Sequence, residues 1–272
     1  MLRCPQGWAR GLLLLLVLCC QWAMAADEVL IAAVHFPPYV IKPEENLQGG
    51  LLGELVVALN QVQNQHRFGL RATSLNRRFD DFRSGRIHIA IFENPDWSWQ
   101  GIAGPRIDMG LEDAEILVAR AEAGRDQHFF DNLQGKRMAL FNGYHYGFAG
   151  FNNDSKWLEK NFNAVLTYSH ESNLKLVLKG RVDIAPITRS WLGARLREQP
   201  QLRDQLLVSD WEDQRYRHYA LLSPHAPISA EDFRHALDLL RESGALQRIF
   251  TPYGIVVRPY ARDSSAAVSA ED

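Results

Sequence analysis

Cysteine is nearly missing from this chain. Three occur among 272 residues, at positions 4, 19 and 20, and none follows. A chain trimmed behind them has no disulfide, no thiol nucleophile and no thiolate metal ligand. Histidine occurs nine times, but never as His-x-His or His-x-x-x-His, so no metal site is expected. Gly-x-Ser-x-Gly, the phosphate-binding P-loop and the Rossmann glycine fingerprint are absent, and no cofactor is expected. An excess of one charge is also lacking. Thirty basic residues face 32 acidic ones, for a net charge of −2. The first 25 residues hold two arginines and no acid, so without them the net charge falls to −4. That balance argues against nucleic acid or an acidic membrane surface as partner. After residue 25 no apolar run is long enough to span a bilayer.

The one long apolar run lies at the start. Arg3 and Arg10 form a basic start before it, Leu12 to Cys20 form it, and Ala23-Met24-Ala25 fits a small-x-small cleavage site. We read 1–25 as a cleavable export signal. Cleavage leaves 247 residues (272 less 25), enough to bury a core without cross-links.

The stretch from Gly85 to Arg106 organises the rest. Ile87 to Phe92 is a short apolar run of the kind that forms a strand buried on both faces. The loop after it carries Glu93, Asn94, Asp96, Trp97 and Trp99, broken by Pro95 and Gly101. Ligands of open α/β sheets sit just past the carboxyl ends of strands. Two tryptophans and two carboxylates there make one wall of a small-molecule pocket.

Upstream, Val29 to Val34 is a strand, ended by Phe36-Pro37-Pro38-Tyr39 because proline cannot continue a central strand. Phe36 and Tyr39 therefore sit at a strand tip. Leu51, Leu52, Leu55, Val56, Leu59 and Val62 recur at helical spacing. Phe68, Leu70 and Ala72 alternate as a second strand, and a short helix spans Asn76 to Ser84. Downstream, Ala114 to Ala119 is a strand, and the polar Glu122–Asp131 segment reads as a crossing. Met138 to Phe141 is a strand whose tip carries Asn142, Gly143, Tyr144 and Tyr146. Helices are expected over Ser155–Phe162, Glu171–Lys179 and Thr188–Glu198, with strands at Ala164–Tyr168 and Val182–Ile187. Leu206–Val208 and Tyr219–Leu222 read as two further strands. Ser229 and Asp232 form a capping box for a helix over Ala230–Glu242.

Two runs of strand–helix alternation imply an α/β chain of two lobes, each a mostly parallel sheet flanked by helices, with a cleft between them. The expected division is 26–120 plus 217–258 for one lobe, 121–216 for the other, and a disordered tail at 259–272.

Four local patterns carry a family resemblance over about Val29 to Tyr253. They are Phe36-Pro37-Pro38-Tyr39, Gly50-Leu51-x-x-Glu54-Leu55, Asn132-Leu133-Gln134-Gly135-Lys136-Arg137, and Leu178-Lys179-Gly180-Arg181-Val182-Asp183. In this order and spacing the chain resembles the bacterial extracellular solute-binding proteins of family 3, the periplasmic amino-acid-binding type of ABC importers. The resemblance implies a monomer in the periplasm that delivers a small ligand to an inner-membrane permease. It also exposes departures. His88 stands where the family has Asp. The family's carboxylate-clamping Arg falls near Trp97 to Gln100, where no Arg occurs. Its ammonium-holding Asp falls at Thr188 or its neighbours. A zwitterion needs both charges matched, so the standard amino-acid mode is not expected here.

The expected cleft residues are Phe36, Tyr39, Trp97, Trp99, Tyr144 and Tyr146 as apolar walls, with Glu93, Arg106, Asn142 and Thr188 orienting polar groups. Arg106 either contacts a carboxylate or faces water, and Thr188 either caps its helix or donates to a ligand. A helix starting near Gly147 would offer free N–H groups to an anion. Aromatic walls beside carboxylates also suit a cation. No catalytic residue is assigned. The leading reading is capture of a small polar or amino-acid-like molecule for import. A periplasmic dehydratase- or lyase-like enzyme and a sensor for a membrane signalling partner are the alternatives.

Overall fold

The computed structural model describes residues 27–46 and 48–259. The expected leader and nearly all of the expected tail lie outside the described residues. One sheet holds most of the strands, in the order β2-β1-β3-β8-β4-β7. Strand β1 (Asp27–Val34) pairs in parallel with β2 (His66–Thr73) and with β3 (Ile89–Glu93). Strand β4 (Arg106–Arg120) and β8 (Leu206–Leu222) pair antiparallel along most of their length. They continue the sheet antiparallel to β3 on one side and to β7 (Ala185–Thr188) on the other. Strand β5 (Met138–Phe141) pairs in parallel with β6 (Ala164–Thr167), and β9 (Val256–Val257) pairs with β4.

Two of these strands differ from the sequence expectation. The strand expected at Ala114–Ala119 begins eight residues earlier, at Arg106. The two expected strands at Leu206–Val208 and Tyr219–Leu222 are one strand of 17 residues. Register shifts in the β4–β8 pairing break the simple alternation, and the polar stretch Ser209 to His218 read as a gap because much of it faces outward.

The buried side chains form separate cores. One takes Val29, Ile31 and Ala33 from β1 and Ile107, Met109 and Leu111 from the start of β4. Helix α1 (Leu51–Val62) adds Leu51, Leu52, Leu55 and Leu59 at three- and four-residue spacing. Helices α6 (Ala230–Glu242) and α7 (Ala245–Phe250) close it with Phe233, Leu237, Leu246 and Phe250. Ser229 caps α6 by accepting from Asp232 N at 3.0 Å, as its spacing implies. The far end of β4 feeds other cores. Ile116 and Val118 meet Trp191 of α5 (Arg189–Glu198) and Leu174 of α4 (His170–Leu178). Leu117 and Ala119 meet Leu140, Tyr146 and Leu158, the last from α3 (Ser155–Phe162). Among the described residues no helix is long and apolar enough to cross a membrane.

Gly50 sets the position of Tyr39. Its φ is +90°, and a Cβ there would lie 2.7 Å from Tyr39 O and 2.8 Å from Pro38 O. The close approach lets Leu51 N and Leu52 N, at the first turn of α1, donate to Pro38 O and Tyr39 O at 3.1 and 2.9 Å. The turn at the tip of β1 is thereby pinned to the helix. Gly50→Ala combines a left-handed backbone with a backbone clash. It is expected to cost more than about 1 kcal/mol, read as a lowered urea midpoint. An unchanged midpoint would show that this docking is dispensable.

Candidate functional site

The tips of β1, β3 and β5 converge with the middle of β8 around one internal cavity of about 60 Å³. Phe36, Tyr39, Phe92, Trp97, Tyr144, Tyr216, His145 and His218 supply the rings of its wall, with Arg78 and Glu93 the charged members. The two sides meet directly. Phe36 stacks on Tyr144 with ring centroids 5.2 Å apart and planes 8° from parallel, and touches Phe141 and His170 at 5.2 and 5.1 Å. Trp97 lies against Tyr144 and Tyr216 at 5.6 and 4.9 Å. Ser98 Oγ and His145 Nε2 are hydrogen-bonded at 2.8 Å. Gln214 bridges the same region, accepting from Trp97 Nε1 at 3.3 Å and donating to His145 O at 2.6 Å.

Of the sequence-expected residues, Phe36, Tyr39, Glu93, Trp97 and Tyr144 line this cavity. The other five lie outside its wall. Trp99 sits behind Glu93, donating its Nε1–H to Glu93 Oε2 at 2.8 Å and packing on Phe79 and Phe82. Tyr146 accepts a hydrogen bond from Phe141 N at 2.7 Å and shapes its own turn. Asn142 lines a shallower neighbouring pocket with Thr73, Ser74 and Tyr168, and accepts from Ser155 Oγ at 2.9 Å. Arg106 is exposed and donates to Trp99 O at 3.3 Å. Thr188 is buried and engaged with Glu115. The free helix N-terminus expected near Gly147 is a short 3-10 turn, Gly147–Ala149. Its N–H groups are taken by the chain's own Asp213, at 2.7 Å each from Gly147 and Phe148.

Four charged groups escaped sequence reasoning. Arg78 heads α2 (Arg78–Arg83) and is almost wholly buried. It holds Glu93 with two bonds, Nε to Oε1 at 2.6 Å and Nη2 to Oε2 at 3.3 Å, and also donates to Leu75 O. Its guanidinium lies 4.2 Å from the Phe79 ring centroid. Asp113 and Glu115, two apart on β4, point the same way and are fully buried. Asp113 Oδ2 accepts from Tyr39 OH at 2.7 Å, which leaves His218 Nε2, 2.8 Å from that hydroxyl, as the donor to it. Glu115 Oε1 accepts from Tyr144 OH at 2.9 Å and Thr188 Oγ1 at 2.6 Å, and His170 Nε2 donates to Thr188 at 2.9 Å. Asp213, on β8, is the fourth. The pattern Asp113-x-Glu115 inside an apolar strand was the available signal, since acids placed there must find partners.

Burial governs the ionisation of these groups. It pushes the Glu115 carboxyl up to about 8, and Asp113 and Asp213 upward as well. It pushes His145 and His170 down to about 3 and His218 to about 4, Arg78 adding to the effect at His145. At neutral pH the three histidines and Glu115 are therefore uncharged. Among the described residues no group of three or more His, Cys, Asp and Glu is arranged to hold a metal ion.

No family model and no curated protein matches the sequence. Solved structures match the fold. The GluR0 ligand-binding core from Nostoc punctiforme in complex with L-glutamate has a TM-score of 0.62 at 14% identity, covering 83% of this chain and 98% of that one. A binding component of an ABC transporter from Wolinella succinogenes DSM 1740, complexed with lysine, has 0.62 at 13%, covering 84% and 96%. The chain has the two-lobed periplasmic-binding-protein fold. A histidine kinase sensor domain with similarity to periplasmic binding proteins has 0.61 at 18%, covering 86% and 98%. Strand β4 runs from the first core into two others, and the aromatic cavity is lined from the tips of β1, β3 and β5 together with Tyr216 and His218 of β8.

Proposed function

We propose that this chain is an exported binding protein that closes its two lobes on a small molecule in the periplasm and hands it to an ABC-type permease. The proposed lobes are 26–120 with 217–258 and 121–216, flexing along β4 and β8. The reading rests on one observation: aromatic side chains from the strand tips of both sides meet around a single cavity, Phe36 against Tyr144 above all. Such a concave, apolar wall with a few oriented polar groups is what small-molecule sites are made of. Phe36, Tyr39, Glu93, Trp97 and Tyr144 are the proposed ligand contacts, joined by Arg78, His145 and Tyr216. No residue is proposed as catalytic. At about 60 Å³ the cavity is small beside ordinary ligand pockets, so binding must part the Phe36–Tyr144 contact.

The test is titration calorimetry and thermal shift of the purified protein, unfolded and refolded to strip bound molecules, against a broad metabolite set. A saturable binding heat with a raised melting temperature is expected. No response to any member, from protein shown to be folded, would contradict the proposal. The sensor reading stays in play because one structural neighbour is a histidine kinase sensor domain. Recovery of a kinase instead of a permease after cross-linking in the native membrane would favour it.

A further inference from the structure

We infer that the cleft selects a small, flat, uncharged ring bearing a carbonyl oxygen, and rejects free amino acids. The inference rests on the cavity being the ligand site. It follows from an account of every charge that lines or backs the cavity. Arg78 and Glu93 are the two formally charged residues of the wall, and they neutralise each other through a two-bond pair. Glu93 is further used by Trp99 Nε1, and Arg78 by Leu75 O. Asp113 is used by Tyr39 OH and Ala114 N, and it lies 4.0 Å from Arg189 Nε, whose Nη1 is in turn bonded to Glu212. Glu115 is set back from the cavity and bonded to Tyr144 and Thr188. Asp213 is used by two backbone N–H groups.

An α-amino acid brought into this site would find no free anion for its ammonium and no free cation for its carboxylate. Leaving an ion dry and unpaired costs several kcal/mol, which cancels the gain from burying one side chain. A lone organic cation fares no better, because Glu93, the carboxylate of the wall, is already paired with Arg78. An uncharged ring carries no such cost. Phe36, Tyr144 and Trp97 offer it π faces, and offset stacking adds to simple burial. Arg78 supplies the polar address. It has five N–H donors, and three of them are used by Glu93 and Leu75. The remaining two suit a carbonyl acceptor. At about 60 Å³ the closed cavity is under half the volume of about 150 Å³ that holds benzene, so a ring enters only when the Phe36–Tyr144 stack parts.

Isosteric pairs test this. Nicotinamide and nicotinate differ by one charge, and nicotinamide and 3-methylpyridine by the whole amide group; uracil, glutamate, lysine and arginine complete the panel. Calorimetry on the wild-type chain is expected to rank nicotinamide or uracil at least about tenfold tighter than nicotinate and every amino acid, the equivalent of about 1.4 kcal/mol. 3-Methylpyridine is expected to be weaker than nicotinamide. Trp97→Ala is expected to weaken the ring compounds about tenfold, and Trp97→Phe, which keeps a π face, to restore most of it. Tighter binding of nicotinate or of any amino acid would overturn the inference and leave the binding-protein reading standing. So would binding of a charged metabolite from the broad set with none of the rings. Silence toward the rings and the broad set together would overturn both.

Discussion

Arg78→Ala is expected to destabilise the folded chain by about 3–5 kcal/mol. The substitution strands Glu93, which is 7% exposed, with Trp99 Nε1 as its remaining side-chain partner. A buried carboxylate without its cation is the costly outcome of breaking such a pair. Phe79 also loses the guanidinium 4.2 Å from its ring centroid. The loss should appear as a lowered urea midpoint without change in slope. Removing both charges in Arg78→Met/Glu93→Gln is expected to recover most of it, because an uncharged replacement of similar volume leaves no buried ion unpaired and keeps an acceptor for Trp99 Nε1. A single mutant within about 1 kcal/mol of wild type would mean that water reaches Glu93 and the cavity wall is wet. The charge account behind the ligand class would then fail.

The second large effect is in pH. Glu115 goes from 4.5 when unfolded to about 8 when folded, so the folded chain holds the proton more tightly. Its contribution is complete below pH 4.5 and is lost as the pH rises to 8, at about 1.4 kcal/mol per unit. Asp113 and Asp213, raised by the same burial, act in the same sense. His145, His170 and His218 act in reverse. Lowered from 6.5 to about 3, 3 and 4, they contribute fully above pH 6.5 and lose that contribution as the pH falls toward 4. At pH 6.5 the three half-protonated unfolded histidines still outweigh Glu115, so stability is expected to rise from about pH 4, peak at about pH 6.5–7 and decline toward 8. Glu115→Gln keeps a neutral side chain of the same shape and removes its share of the decline. Urea melts of both proteins at intervals across this range check it. A wild-type curve that is flat or rising between about pH 7 and 8, matching that of the mutant, would show that Glu115 is ionised in the fold.

These two groups mark the limit of what the sequence discloses. Phe36, Tyr39, Trp97 and Tyr144 were legible because each follows a short apolar run, and strand tips are where α/β sheets present side chains. The capping box at Ser229 and the apolar face of α1 were legible because their signals are local. Arg78 was not, since a basic residue at a helix start reads as solvated until its partner, 15 positions on, is known. Tyr39 and His218 meet across 179 positions, and Thr188 and Glu115 across 73. No periodicity reports such pairs. The length of β8 was hidden for another reason. Its polar residues lie on both faces, Asp210, Arg215 and Arg217 exposed and Ser209, Gln214 and His218 buried, and the strand bulges against β4, so apolar alternation was lost where the strand itself continued.

The exposed sites Val57 and Trp157, on α1 and α3, allow the proposed hinge to be measured. Residues 27–259 contain no cysteine, so Val57→Cys and Trp157→Cys can be spin-labelled selectively in protein lacking Cys4, Cys19 and Cys20. The distance between the two labels is the most direct test of lobe closure. It should show a closed population that grows with a bound ring compound and shrinks in Tyr144→Ala, where the stack with Phe36 is gone. One narrow distance, unmoved by any ligand and by Tyr144→Ala, would contradict a chain that works by closing two lobes on a guest.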